Sequence, residues 1–204
     1  MVRGLRKGLL VAVEGIDGSG KTSVVRELEK RLKELKIRVE TVREPSDGPI
    51  GEFIRKYLNR EFGSEWDKKV EALLFAADRA WYFSEVGLPE GDVVLMDRSL
   101  YSSLAYQAET KEDEAWISEI NKFVPKPHLS FFLDVRPEIC ISRIMRSGRR
   151  KTSKESLPEL KRTYERYLDL VRRGYLIRVD AERGLEEVVE EILREILKRI
   201  ASPP

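Results

Sequence analysis

Residues 15–22 read GIDGSGKT and follow closely on the apolar run LLVAV at 9–13. The stretch satisfies G-x-x-x-x-G-K-[ST], so the chain must fold here as a strand, a tight glycine loop and a helix in succession. Glycines let the backbone curl until several N–H groups point at one centre, and a helix starting near Lys21 adds the positive end of its dipole. The segment reads as a phosphate-binding loop built by Gly15, Ile16, Asp17, Gly18, Ser19, Gly20, Lys21, Thr22 and Ser23. Lys21 is the side chain expected to reach the β- and γ-phosphates of a nucleoside triphosphate. The Thr22 hydroxyl is placed to hold the Mg²⁺ that arrives with it.

Strand-like runs recur at 9–13, 37–42, 93–96, 129–133 and 176–179. Between them lie helical patterns at 50–58, 66–86, 102–108, 113–123, 137–147, 157–173 and 185–200, besides the helix after the loop, where Val24, Val25, Leu28, Leu32 and Leu35 fall at helical spacing. Strand and helix in alternation predict an α/β protein of the P-loop NTPase kind: a five-stranded parallel sheet flanked by helices. A length of 204 residues suits one domain with a sizeable core.

Composition narrows the partners. The net charge of +2 comes from basic and acidic residues interleaved along the chain, so no nucleic-acid footprint is indicated. The run at 9–13 is far too short to span a bilayer, and the single cysteine, Cys140, excludes an internal disulfide. A cytoplasmic protein with small anionic ligands is expected. Charged residues make up 36% of the chain, with three Met and one Cys, a balance that suits a thermophile or a surface rich in solvated helix faces.

Two apolar strands close on an aspartate, Asp97 and Asp134, at the strand ends where such sheets bind ligands. Arg98 follows Asp97, which favours Asp97 as a metal-facing carboxylate beside phosphate. Asp134 reads instead as a helix N-cap. The guanine-reading N-K-x-D motif is missing, because Asn121 and Lys122 are followed by Phe123 and Val124. Between two helical patterns, SGRRKTSKE at 147–155 is dense in basic residues, as a short lid over phosphates would be, or a solvated connector.

Taken with the loop, the segments REP at 43–45, LLFAADRA at 73–80, MDRSLYSSLAYQ at 96–107 and the basic lid at about 147–156 resemble the thymidylate kinase family over nearly the whole chain. The resemblance implies ATP-dependent phosphorylation of dTMP to dTDP. Phe75 would stack on the thymine ring, and Arg79, four residues on, would donate to a base carbonyl that cytosine replaces with an amino group. Ser103 would face the base edge, and Tyr106 would crowd the 2′ position of the sugar. Asp17 would approach the 3′-hydroxyl, Arg98 would hold the acceptor phosphate, and a cis Pro45 would present Glu44. Arg143 would pack on adenine, and Thr22 with Asp97 would hold Mg²⁺.

Positions 16–19 of the loop contain no arginine, so the chain resembles the members that take the catalytic arginine from the lid, here Arg149 or Arg150. Two departures stand out: Ser46, Asp47 and Gly48 follow REP where the family often has glycines, and the lid continues as KTSKES. A deoxynucleoside kinase or a nucleotide kinase of broader base tolerance is the nearest alternative, and a non-catalytic nucleotide switch is a more distant one. The resemblance also implies a homodimer.

Overall fold

All five apolar runs become parallel strands in the computed structural model of the chain, which describes residues 8–62, 67–87, 91–148 and 155–201. They are β1 (Leu9–Glu14), β2 (Val39–Arg43), β3 (Val93–Asp97), β4 (Leu129–Asp134) and β5 (Ile177–Asp180). Among the described residues they form one sheet in the order β2-β3-β1-β4-β5. The central β1 pairs with β3 from Leu9 opposite Val93 to Val13 opposite Asp97, and with β4 from Val11 opposite Leu129 to Glu14 opposite Phe132. Every residue of β3 is buried, and every residue of β1 except Leu9, the pattern of strands covered on both faces.

Parallel pairing requires long crossovers, and helices fill them. In chain order these are α1 (Lys21–Glu34), α2 (Pro49–Leu58), α3 (Lys68–Glu85), α4 (Leu100–Tyr106), α5 (Lys111–Ile120), α6 (Pro137–Arg146), α7 (Leu157–Arg172) and α8 (Leu185–Ala201). Successive strand residues point to opposite layers. Val11, Val13, Val93 and Leu95 pack with Val24, Leu28 and Leu32 of α1 and with Val189 and Ile192 of α8, whereas Leu10, Ala12, Val94 and Met96 meet Tyr82 and Phe83 of α3. Each fully buried aliphatic side chain contributes about 1.5–3 kcal/mol, so these layers decide where the strand ends lie.

Local chemistry sets the element boundaries, and several differ from the periodicity. β2 starts at Val39 because Ile37 is consumed in closing α1: Lys36 takes φ +62, Lys36 N donates to Lys33 O, and Ile37 N donates to Leu32 O. α4 starts two residues early because Ser99 caps it, its Oγ accepting from Tyr101 N at 3.3 Å. α5 opens on a capping box between Thr110 and Asp113 and ends at Ile120. Asp67 caps α3, and Trp66, the expected first residue of that helix, lies outside the described residues. Among the described residues no helix is long and apolar enough to cross a membrane.

All C-terminal strand ends of a parallel sheet share one edge. That edge here carries Glu14, Arg43, Asp97 and Asp134, the last residues of their strands.

Candidate active site

The loop from Gly15 to Gly20 leaves β1 and turns into α1. Gly18 sits at φ +85, and a Cβ there would lie 2.6 Å from the Cys140 carbonyl oxygen, so only glycine lets the loop rest on α6. Gly20, at φ +100, forms the N-cap of α1. Lys21 Nζ donates to Gly15 O and Ile16 O, each at 3.0 Å, which places the ammonium inside the curl of the loop. Burial, helped by the neighbouring Arg98 charge, pulls its pKa down to about 8. Thr22 Oγ1 donates 2.7 Å to Asp97 Oδ2, joining the first turn of α1 to the end of β3. Ser19 is buried and its Oγ has no hydrogen-bond partner among the described residues.

Beyond Asp97 the chain makes a strained turn. Arg98 adopts φ +80, a left-handed conformation costing about 1–3 kcal/mol, while its N–H donates to Val13 O at 3.2 Å. Its guanidinium pairs with Asp17 of the loop, donates 3.2 Å to Ser102 Oγ, and lies 5.1 Å from the centre of the Tyr106 ring. The Tyr106 hydroxyl is buried without a partner among the described residues. Three successive residues thus reach three parts of the site: Asp97 to Thr22, Arg98 to Asp17, and Ser99 through its carbonyl to Arg79 Nη2 at 3.1 Å.

Under this turn lies a residue that the sequence reading missed. Glu14, the last of β1, is fully buried and accepts from Ser99 Oγ and Ser102 Oγ at 2.6 Å each and from Tyr167 Oη at 2.9 Å. Burial pushes its carboxyl above the ordinary carboxylate range, against the hydrogen bonds from Ser102 and Ser99. The signal was available, since Glu14 closes an apolar strand as Asp97 and Asp134 do. Through Ser102 it braces Arg98.

Across from the loop, Phe75 and Arg79 sit one turn apart on α3, the guanidinium carbon 5.9 Å from the Phe75 ring centre. Arg79 is 3% exposed. Its Nε and Nη2 donate to the two Glu44 carboxylate oxygens at 2.7 and 2.6 Å, Nη2 also to Ser103 Oγ at 2.9 Å, and Nη1 to Asn121 Oδ1 at 3.1 Å. The Glu44–Pro45 peptide is cis. After it, the departure from the family pattern has a structural partner: Ser46 donates from N and Oγ to the Asp78 carboxylate at 2.7 and 2.6 Å, and Arg55 Nη1 donates to Ser46 O at 2.7 Å. The Ser46 side chain is therefore committed to α3.

On the far side of the loop, Arg143 Nη1 approaches Gly18 O and Ser19 O at 3.4 Å. A cleft of about 290 Å³ opens there among Ser19, Gly20, Ser23, Arg143, Ala181 and Arg183. Ala181 and Arg183, beyond β5, carry no motif and were not expected at the site. Asp134 does not cap α6, whose N-cap position is Arg136; Tyr164 Oη and Arg178 Nε claim its carboxylate instead, each at 2.6 Å. The lid residues Arg149 and Arg150 lie outside the described residues.

The profile of the thymidylate kinase family matches residues 13–192. A probable thymidylate kinase of Pyrobaculum calidifontis is 41% identical over 198 residues, covering 95% of this chain and 98% of its own. One from Pyrobaculum aerophilum is 42% identical over 182 residues, covering 87% and 91%. The chain belongs to the thymidylate kinase family. It is a phosphotransferase that phosphorylates dTMP, as the motifs led us to expect, and its sheet order is that of the expected P-loop kinase fold. In this thymidylate kinase family member, ATP is the phosphoryl donor that the family implies.

Proposed function

We propose that the chain transfers the γ-phosphoryl group of Mg²⁺-bound ATP to the phosphate of dTMP, and that the turn Asp97-Arg98-Ser99 holds donor and acceptor together. The observation that carries this reading is the triple reach of that turn, to Thr22, to Asp17 and to Arg79. An oxygen of the dTMP phosphate attacks the γ-phosphorus while the bond to the β,γ-bridging oxygen breaks, and ADP leaves with that electron pair. The second pKa of a phosphate monoester is about 6, so the acceptor is already an anion at neutral pH and no general base is needed. The task is to bring two polyanions into line.

Each group has a role on this reading. Lys21 and the loop N–H groups take the ATP phosphates, and Arg143 packs on adenine in the cleft shared with Ser23 and Arg183. The oxygen donors Thr22 and Asp97, joined at 2.7 Å, suit a small hard cation that keeps most of its waters, so they would hold Mg²⁺. Bound there, the cation would offset the charge that develops on the phosphates. Arg98 holds the acceptor phosphate, Asp17 approaches the 3′-hydroxyl, and Tyr106 bars a 2′-hydroxyl. Phe75 stacks on thymine, with Arg79, Ser103, Glu44 and Pro45 forming its edge. Arg149 or Arg150 contacts the transferring group. We assign the reaction to the cytoplasm on the chemistry of its substrates.

We further propose a homodimer. Supporting it, Phe53 and Phe62 stack with ring centres 5.0 Å apart and are 44% and 52% exposed, and Val70 and Leu73 of α3 are 42% and 50% exposed. A monomeric sedimentation coefficient at micromolar concentration would refute this.

The activity is tested by coupled ADP release with dTMP, dUMP, dCMP, dGMP and thymidine as acceptors. Turnover should require a monophosphate and be fastest with dTMP. Preference for thymidine would establish a nucleoside kinase, and ADP release without acceptor dependence a nucleotide switch.

A further inference from the structure

An arginine offers five N–H donors in a rigid plane. In Arg79 the Nε and Nη2 edge is spoken for by Glu44, Ser99 O and Ser103, and one Nη1 hydrogen goes to Asn121 Oδ1 at 3.1 Å. One Nη1 hydrogen is left without an acceptor among the described residues. Asn121 closes α5, is 1% exposed, and lies 42 positions from Arg79 in sequence. Its amide has one possible orientation: arginine only donates, so the oxygen must face it, and Nδ2 donates to Ile117 O at 2.8 Å.

Glu44, Ser99 O and Ser103 all hold the Nε–Nη2 edge, which leaves the guanidinium plane able to rock about that edge. An acceptor at the third corner stops that motion and leaves the second Nη1 hydrogen a single direction. Rigidity matters for discrimination because a donor aimed at a carbonyl rejects an amino group only if it cannot turn away; two donors left facing each other in a buried site are both unpaired.

We propose that Asn121 is a positioning residue for base choice, holding the third corner of Arg79 so that its remaining N–H favours a pyrimidine carbonyl over the amino group of cytosine. The inference rests on the reading of Arg79 as the group that meets the base. Asn121 itself touches no substrate. Asn121, which with Lys122 begins like a guanine-reading motif, thus serves Arg79 instead.

Two variants separate this role from simple helix capping. Asn121→Leu removes the acceptor at nearly constant volume, whereas Asn121→Asp keeps an oxygen toward Arg79 and loses the donor to Ile117 O. Both are assayed for kcat and KM with dTMP and with dCMP, and for melting temperature. Asn121→Leu should lower the dTMP-to-dCMP ratio of kcat/KM by about ten-fold, chiefly through KM for dTMP. Asn121→Asp should keep the wild-type ratio even where it melts earlier. If both variants melt earlier and neither moves the ratio, the residue is a cap and the proposal falls. Should Asn121→Leu not fold, Asn121→Ala is read the same way. Arg79→Lys guards the underlying reading: if it too leaves the ratio unchanged, Arg79 does not meet the base and both statements fail. A ratio that responds to Arg79→Lys but not to Asn121→Leu overturns the proposal for Asn121 alone.

Discussion

Thr22 and Asp97, 75 positions apart, are joined by a 2.7 Å hydrogen bond that ties the helix after the phosphate loop to the end of β3. Asp97→Asn retains an oxygen able to accept from Thr22 Oγ1 while removing the negative charge. If the pair holds Mg²⁺, the variant should fold normally and require at least about ten-fold more Mg²⁺ for half-maximal activity at fixed ATP. A Mg²⁺ titration identical to wild type would remove Asp97 from the metal site.

The depressed pKa of Lys21 predicts proton-linked nucleotide binding. Its folded value of about 8 lies below the ordinary 10.5, so between these values the unfolded chain binds more protons and this group makes folding more favourable as pH rises. Triphosphate oxygens favour the charged ammonium, so ATP should bind with proton uptake above about pH 8, and its affinity should fall by no more than about ten-fold per pH unit on this account. Calorimetry at pH 9 in buffers of different ionisation enthalpy measures the uptake. It should vanish in Lys21→Met, and uptake that persists there belongs to another group.

Glu44 and Arg79 form a buried bidentate pair, with side chains 6% and 2% exposed. Breaking one side of such a pair strands the other charge, at a cost of about 3–5 kcal/mol. In a chain of this size that corresponds to a melting temperature lower by roughly 10 °C for Glu44→Ala. The double variant Glu44→Leu with Arg79→Met should recover much of the stability while losing dTMP binding. A thermal melt of Glu44→Ala within about 2 °C of wild type would show that water reaches Arg79 and relieves it.

Much of this architecture could be read from residue order, and the exceptions have physical causes. Periodicity and the glycine loop point to all five strands: β1 and β3, covered on both faces, are apolar almost throughout, while the edge strands β2 and β5 bury only Val42 and Val179 and are marked by the alternation with helices. The apolar pattern extends β2 to Ile37 because an apolar residue suits both a strand start and a helix closure; the left-handed Lys36 settles it in favour of the helix closure. Asp134 resembled a helix cap because a carboxylate before a helix usually is one, and only the tertiary fold brings Tyr164 and Arg178 to it. The Glu44–Arg79 pair spans 35 positions and the Arg79–Asn121 contact spans 42, separations that no local pattern encodes. Glu14 meets the same strand-end criterion as Asp97, but the phosphate-loop motif that begins one residue later does not include it.

The loop positions 16–19 lack a cationic side chain, and of the residues placed on the acceptor phosphate Arg98 is already engaged by Asp17 and Ser102. Charge building on the transferring group therefore calls for a further arginine, and SGRRKTSKE provides Arg149 and Arg150. An arginine that acts only on the transition state raises kcat without tightening the ground state, and in other phosphoryl-transfer enzymes it is worth about 10³–10⁵ in rate. Arg149→Ala should accordingly lower kcat by about a hundred-fold or more with KM for ATP and dTMP within about three-fold, and Arg149→Lys should recover only part of the loss because lysine lacks the planar fork. If Arg149→Ala is nearly silent, Arg150→Ala should show the loss. Wild-type turnover in the double variant would mean that Lys21 and Arg98 alone neutralise the transferring group.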